Sequence, residues 1–272
     1  MTIEPLDDYA AFAGRLADAA RAETLPRFRA KTEIHNKVGV SFDPVTDADR
    51  EAERAQRRMI AAVYPHHGVI GEEFGKERPD AEWRWVLDPV DGTRAFICGA
   101  TTWATLIALE KSKTPVLGLI DQPFTDERWI GRAGARTVYT RGGAVIECAV
   151  SGVNALSHAR VSTTDPRRDG YMTGDEVEAF SAVAAKARVA RFSLDAYAYG
   201  LLALGEVDLV IESSLNHHDY AALIPVVEGA GGVVTGWKGE SVHESERGRV
   251  IASAGPALHE AALKILQAAM PR

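Results

Sequence analysis

Trp85-Val86-Leu87-Asp88-Pro89-Val90-Asp91-Gly92-Thr93 is the stretch around which the chain organises itself. Trp83 to Leu87 reads as a short apolar strand that delivers Asp88 at its end. Pro89 and Gly92 then predict a tight turn that swings Asp91 back beside Asp88. Two carboxylates held that close repel each other unless a cation lies between them. Oxygen-only ligands suit a hard ion such as Mg²⁺. A polar turn in which the two aspartates cap backbone N–H groups accounts for the same residues without a cation.

Working outward, other acids sit at comparable places. Gly71-Glu72-Glu73 follows the short strand Val69-Ile70, and Thr46-Asp47-Ala48-Asp49 opens a helix. Asp219 starts another helix, after a strand that ends in Glu212. Singly, each reads as a helix cap or a solvated surface acid. Four acid-bearing strand ends and helix starts in one chain point to a shared site.

The rest of the pattern supplies a scaffold. A helix is expected over Leu6 to Phe28, from apolar residues at three- and four-residue steps. A second follows Thr46-Asp47, with Ala48, Ala52, Ala55, Met59 and Ala62 facing inward and Arg50, Glu51, Glu53, Arg54 and Arg57 wet, until Pro65 stops it. Strands at Thr102–Leu109, Val116–Ile120, Arg128–Gly131 and Arg136–Thr140 predict an antiparallel meander. Gly142-Gly143 breaks that run, and the composition shifts toward helix. Beyond it strands and helices alternate, with a capping box at Thr173–Glu176 and a kinked helix from Tyr220 to Gly229 containing Pro225. Residues 1–150 thus read as an α+β half and 151–272 as an α/β half, with the boundary near Val150.

Composition excludes several classes. The 272 residues carry 31 Lys+Arg against 38 Asp+Glu, a net charge of −7, which argues against nucleic acid or an anionic membrane as partner. No apolar run is long enough to span a bilayer, and Met1 to Asp8 does not read as a secretory signal. Two cysteines, Cys98 and Cys148, make neither a metal spacing nor a disulfide framework, so a reduced, cytoplasmic protein is expected. Glu228-Gly229-Ala230-Gly231-Gly232 follows a helix and precedes a strand, the reverse of a phosphate loop, and reads as a helix C-terminus. His217-His218 lacks a third donor at metal-site spacing and reads as pocket lining or plain exposure.

Together, Pro44-Val45-Thr46-Asp47-Ala48-Asp49, Gly71-Glu72-Glu73, Leu87 to Thr93 and Asp219 to Gly232 resemble, in order, the inositol monophosphatase superfamily. Thr93-Arg94-Ala95-Phe96-Ile97, Trp103 to Leu109, Gly118 to Pro123 and Ala222 to Glu228 are similar to its histidinol-phosphatase branch. Arg191-Phe192-Ser193-Leu194-Asp195, where that branch usually has two glycines before the aspartate, and Leu215-Asn216-His217-His218 depart from it.

The resemblance implies a layered αβαβα sugar-phosphatase-type fold, with an antiparallel sheet half followed by a mixed-sheet α/β half. It implies two or three Mg²⁺ per site, held by Glu72, Asp88, Asp91, Asp219 and the Val90 carbonyl, with residues 1–150 carrying most ligands. Glu72 and Thr93, backed by Asp49, would activate the attacking water. Gly92, Thr93, Arg191, Asp195, Glu212 and Asp219 would contact substrate. The expected reaction is hydrolysis of a small-molecule phosphate monoester, and the family's habit implies a homodimer. Two carboxylates at Asp195 and Glu212 suit a cationic amine or imidazolium, hence histidinol phosphate, better than a neutral polyol. Inositol-1-phosphate, a broader range of sugar or nucleotide monoesters, and a non-catalytic phospholigand-binding module are the alternatives.

Overall fold

A computed structural model describes residues 6–30, 35–36, 44–168 and 170–270. The expectation for Met1 to Asp8 therefore falls largely outside the described residues. The elements follow as α1 (Leu6–Thr24), β1 (His35–Asn36), β2 (Pro44–Val45), α2 (Asp47–Val63), β3 (Gly68–Gly71), β4 (Gly75–Glu77), β5 (Trp83–Asp91), α3 (Thr93–Ile97), β6 (Ala104–Lys111), β7 (Thr114–Gln122), β8 (Glu127–Arg132), β9 (Val138–Arg141) and β10 (Ala144–Glu147). They continue as β11 (Arg160–Thr163), α4 (Gly174–Ala184), β12 (Val189–Phe192), α5 (Tyr197–Ala203), β13 (Leu209–Glu212), α6 (His217–Tyr220), α7 (Leu223–Gly229), β14 (Val233–Thr235), β15 (Val250–Ser253) and α8 (Pro256–Ala269).

Two sheets carry the architecture. An eight-stranded sheet runs β10-β9-β8-β7-β6-β5-β3-β4, antiparallel except where β3 lies parallel to β5. A five-stranded mixed sheet runs β12-β11-β13-β15-β14. The strand period of two assigns the layers. Trp85 and Leu87 face α1 and α2, together with Tyr9, Phe12 and Leu16, while Val86 faces the opposite way. There it joins Trp129, Tyr199, Val226 and, from the second sheet, Val210 and Ala252. The far face of the second sheet, through Val161, Leu209 and Ile251, packs on α4 and α8. The result is the layered αβαβα order that the resemblance implied.

Several local expectations change. The first helix stops at Thr24 rather than Phe28, because Pro26 lacks the N–H needed to continue it. Gly142 and Gly143, both at positive φ, close a β9–β10 hairpin instead of ending the sheet. The expected helix over Tyr220–Gly229 is two helices, α6 and α7, and Pro225 falls in the first turn of α7, where a missing N–H costs little. Glu53, expected to be wet, is fully buried.

The central strand changes most. β5 does not end at Leu87 but continues to Asp91, with a β-bulge against β6 between Asp88 and Asp91. Residues three apart on a regular strand face opposite sides. The extra residue of the bulge restores Asp91 to the side of Asp88. Pro89 sits within this bulge, where a strand tolerates it, and its carbonyl accepts the Thr105 hydroxyl at 2.7 Å.

Helix α7 lies directly on β7 and β8. A Cβ on Gly118 would stand 2.0 Å from the Ala222 carbonyl oxygen, and one on Gly131 would stand 2.2 Å from that of Pro225. Gly118→Ala should therefore destabilise the fold by about 1–3 kcal/mol, read from urea unfolding. Gly14→Ala, whose Cβ would meet nothing closer than 3.5 Å, should be neutral or stabilising by up to about 1 kcal/mol. Equal midpoints for the two variants would contradict this packing.

Candidate metal and phosphate site

At the seam between the sheets lies a cleft of about 300 Å³. Glu72, Asp88, Asp91, Asp195, Glu212 and Asp219 all line it, and Arg94 is the one cationic side chain among its described lining residues. Two sets of donors converge within 4.8 Å: Asp88, Asp91 and Asp219, and Glu72, Asp88 and His218. Asp88 belongs to both. His218 is thus beside the acids, 3.3 Å from Asp219 through Nε2, rather than simple lining or surface.

Three local devices deliver the acids. The β5 bulge presents Asp88 and Asp91, and the Ala196 N–H donates to Asp91 Oδ2 at 2.8 Å. The loop after β3 carries Glu72 and is tied down by buried Glu53 of α2, which accepts the N–H groups of Glu73 at 2.7 Å and Phe74 at 3.2 Å. Asp219 is the third residue of α6, and its Oδ2 accepts the Asn216 N–H at 2.6 Å. Asp49 holds the corresponding position in α2, where its Oδ2 accepts the Thr46 N–H at 2.9 Å. Its Oδ1 lies 3.4 Å from the Thr93 hydroxyl, which also donates to the Val90 carbonyl at 3.0 Å.

The electrostatics are severe. Burial, then the charges of Glu72, Asp91 and Asp219, pushes Asp88 well above the ordinary carboxylate range. Burial, then Asp195 and Asp219, does the same to Asp91, and burial chiefly raises Asp219. Burial lifts Asp49 and Asp195 to about 6 and Glu212 to about 8. This is the signature of a site short of positive charge. A hard divalent cation fits it, because buried Asp88 and half-buried Asp91 and Asp219, within mutual reach, offer oxygen donors with too little protein charge to balance them.

The remaining candidates divide. Gly92 caps α3 at φ 75°, a conformation that favours glycine, and a Cβ there would crowd Asp195 Cγ at 3.0 Å. Asp195 and Glu212 line the cleft but belong to neither converging set. Ser193 and Asp195 take φ of 61° and 49°, a costly conformation for non-glycine residues. Arg191 does not line the cleft: it is exposed on the edge strand β12. The guanidinium in the cleft is that of Arg94, 4.6 Å above the Tyr171 ring. Its signal in the sequence was adjacency to Thr93. Cys98 caps the end of α3 and is exposed.

The raised acids predict a pH dependence. Below about pH 3 they are largely protonated in both folded and unfolded chains and cost little. As pH rises the unfolded chain ionises first, so the folded state loses relative stability until Asp195, near 6, and Glu212, near 8, have also ionised. Without divalent cations, wild type should lose thermal stability relative to Glu212→Gln between about pH 5 and pH 8. A difference that stays constant over that range would contradict the assignment.

Comparison with known proteins agrees with this geometry. The inositol monophosphatase family matches residues 6–270. The chain is 41% identical to the chloroplastic bifunctional phosphatase IMPL2 of Arabidopsis thaliana, over 96% of this chain and 76% of that protein. It is 35% identical to the histidinol-phosphatase of Streptomyces coelicolor, over 82% and 85% of the two chains. An inositol monophosphatase structure from Zymomonas mobilis superposes with a TM-score of 0.85 at 41% identity, covering 97% of this chain and all of the other. The chain belongs to the inositol monophosphatase family of metal-dependent phosphatases, in its histidinol-phosphatase branch.

Proposed function

We propose that the protein hydrolyses histidinol phosphate to histidinol and phosphate with Mg²⁺, using two or three ions per site. The observation that carries this reading is the pair of half-buried Asp195 and buried Glu212, carboxylates in the cleft that lie outside both donor sets. Their charge complements an ammonium or imidazolium.

In this reading Glu72, Asp88, Asp91, Asp219 and the Val90 carbonyl hold the ions. Bound Mg²⁺ supplies Lewis acidity toward the phosphoryl oxygens. Glu72 and the Thr93 hydroxyl orient the attacking water. Thr93 accepts from that water when its one hydroxyl proton turns from the Val90 carbonyl, at 3.0 Å, to Asp49, at 3.4 Å. Asp49, raised to about 6 by burial, is poised to share that proton near neutral pH. The Gly92 and Thr93 N–H groups steady the phosphate. Arg94 at the rim adds positive charge for the approaching anion.

A second reading has its own support. Burial raises Glu212 to about 8, against the Thr164 N–H at 2.8 Å and hydroxyl at 2.9 Å that favour its charge, so it keeps a proton near neutrality. A neutral carboxyl there suits the hydroxyls of a polyol such as inositol-1-phosphate.

Phosphate release measured side by side decides between them. Histidinol phosphate should exceed inositol-1-phosphate and 3′-phosphoadenosine 5′-phosphate in kcat/KM, and Glu212→Gln should narrow that gap. A higher kcat/KM on inositol-1-phosphate would overturn the first reading. Asp88→Asn should lower kcat roughly 10²-fold or more, and EDTA should abolish turnover reversibly. Phosphate release that survives either treatment would overturn the metal-dependent mechanism.

A further inference from the structure

In the sequence, His217 has no third donor nearby, but the fold supplies two. Glu110 at the end of β6, His217 at the start of α6 and His243 in the short turn Val242–Glu244 each offer a ligand atom, and these atoms lie within 4.8 Å of one another. None of the three lines the carboxylate cleft. Glu110 is fully buried, with Oε1 2.6 Å from His217 Nε2 and Oε2 held by the Arg84 guanidinium. His243 is exposed, and its Nδ1 lies 3.2 Å from the Tyr220 hydroxyl. The two imidazole rings stand 5.6 Å apart between centroids.

We propose that Glu110, His217 and His243 form a binding site for a transition-metal ion of the zinc class, separate from the carboxylate cluster. Two imidazoles and one carboxylate make a mixed nitrogen and oxygen set, which borderline ions prefer and Mg²⁺ does not. Zinc accepts three protein ligands of this kind and completes a tetrahedron with water. Bonds of about 2.0–2.2 Å place donors on one zinc roughly 3.3–3.5 Å apart. Side-chain rotation reaches that spacing by opening the 2.6 Å Glu110–His217 contact to admit the ion, and exposed His243 leaves the way open from solvent. Outer partners of the type that orient metal ligands are already in place: Arg84 fixes Glu110, and Tyr220 faces the second nitrogen system at His243. The competing reading is a purely structural Arg84–Glu110–His217 network, which binds no ion.

Equilibrium dialysis of the full chain against Zn²⁺, in a large excess of Mg²⁺, separates the two. Comparing variants cancels any Zn²⁺ taken up by the carboxylate cleft. Wild type should bind one more Zn²⁺ per chain than His243→Ala at the same free Zn²⁺, with that ion held at least about tenfold more tightly. His243→Cys, which restores a zinc ligand, should recover the lost ion. Because His243 is exposed, matched unfolding temperatures will verify that the variants are folded. Identical Zn²⁺ isotherms for wild type and His243→Ala would overturn the proposal.

Discussion

Repulsion among buried carboxylates is the constraint on which this molecule turns. Asp88, Asp91 and Asp219 bring oxygens within 4.8 Å of one another, and Glu72 joins Asp88 in a second set with His218. No folded chain gains by this arrangement alone, since burial and mutual charge both oppose ionisation. The apolar layers must therefore hold the acids against their own field. They do so through Trp85, Leu87, Leu106 and Val210, fully buried on the strands that meet at the seam. Close seating of α7 over Gly118 and Gly131 completes the frame by fixing the segment just after Asp219.

Helix capping and site building are one act here. Asp49 and Asp219 occupy the same position in two capping boxes, each accepting through Oδ2 a backbone N–H at the start of its helix. The other oxygen of each faces the site: Oδ1 of Asp49 meets Thr93, and Oδ1 of Asp219 lies beside His218. A cap fixes a carboxylate's rotamer as well as stabilising the helix. The cap and the functional role, which compete when the sequence is read one residue at a time, are complementary in three dimensions.

What could be read from the chain followed local rules. The alternating second half, the Thr173 capping box and the strand before Asp88 all obey periodicity or short-range chemistry, and the structure has them. The clustering of acids at element ends was legible too. Register was not. The bulge that turns Asp91 toward Asp88 depends on β6, which starts thirteen residues later, at Ala104. Burial of Glu53 depends on the backbone of a loop twenty residues away. The meeting of Glu110, His217 and His243 joins segments more than a hundred residues apart, so no spacing rule could reveal it. Arg191 and Arg94 show the same limit, since only tertiary placement says which guanidinium enters the cleft.

The central claim is that this carboxylate cluster exists to hold divalent cations against a phosphate. Anomalous scattering from crystals soaked in Mn²⁺, a Mg²⁺ surrogate, tests it most directly. Peaks should appear within coordination distance of Asp88, flanked by Glu72 on one side and by Asp91 and Asp219 on the other. Well-diffracting soaked crystals with no peak at Asp88 would contradict the account.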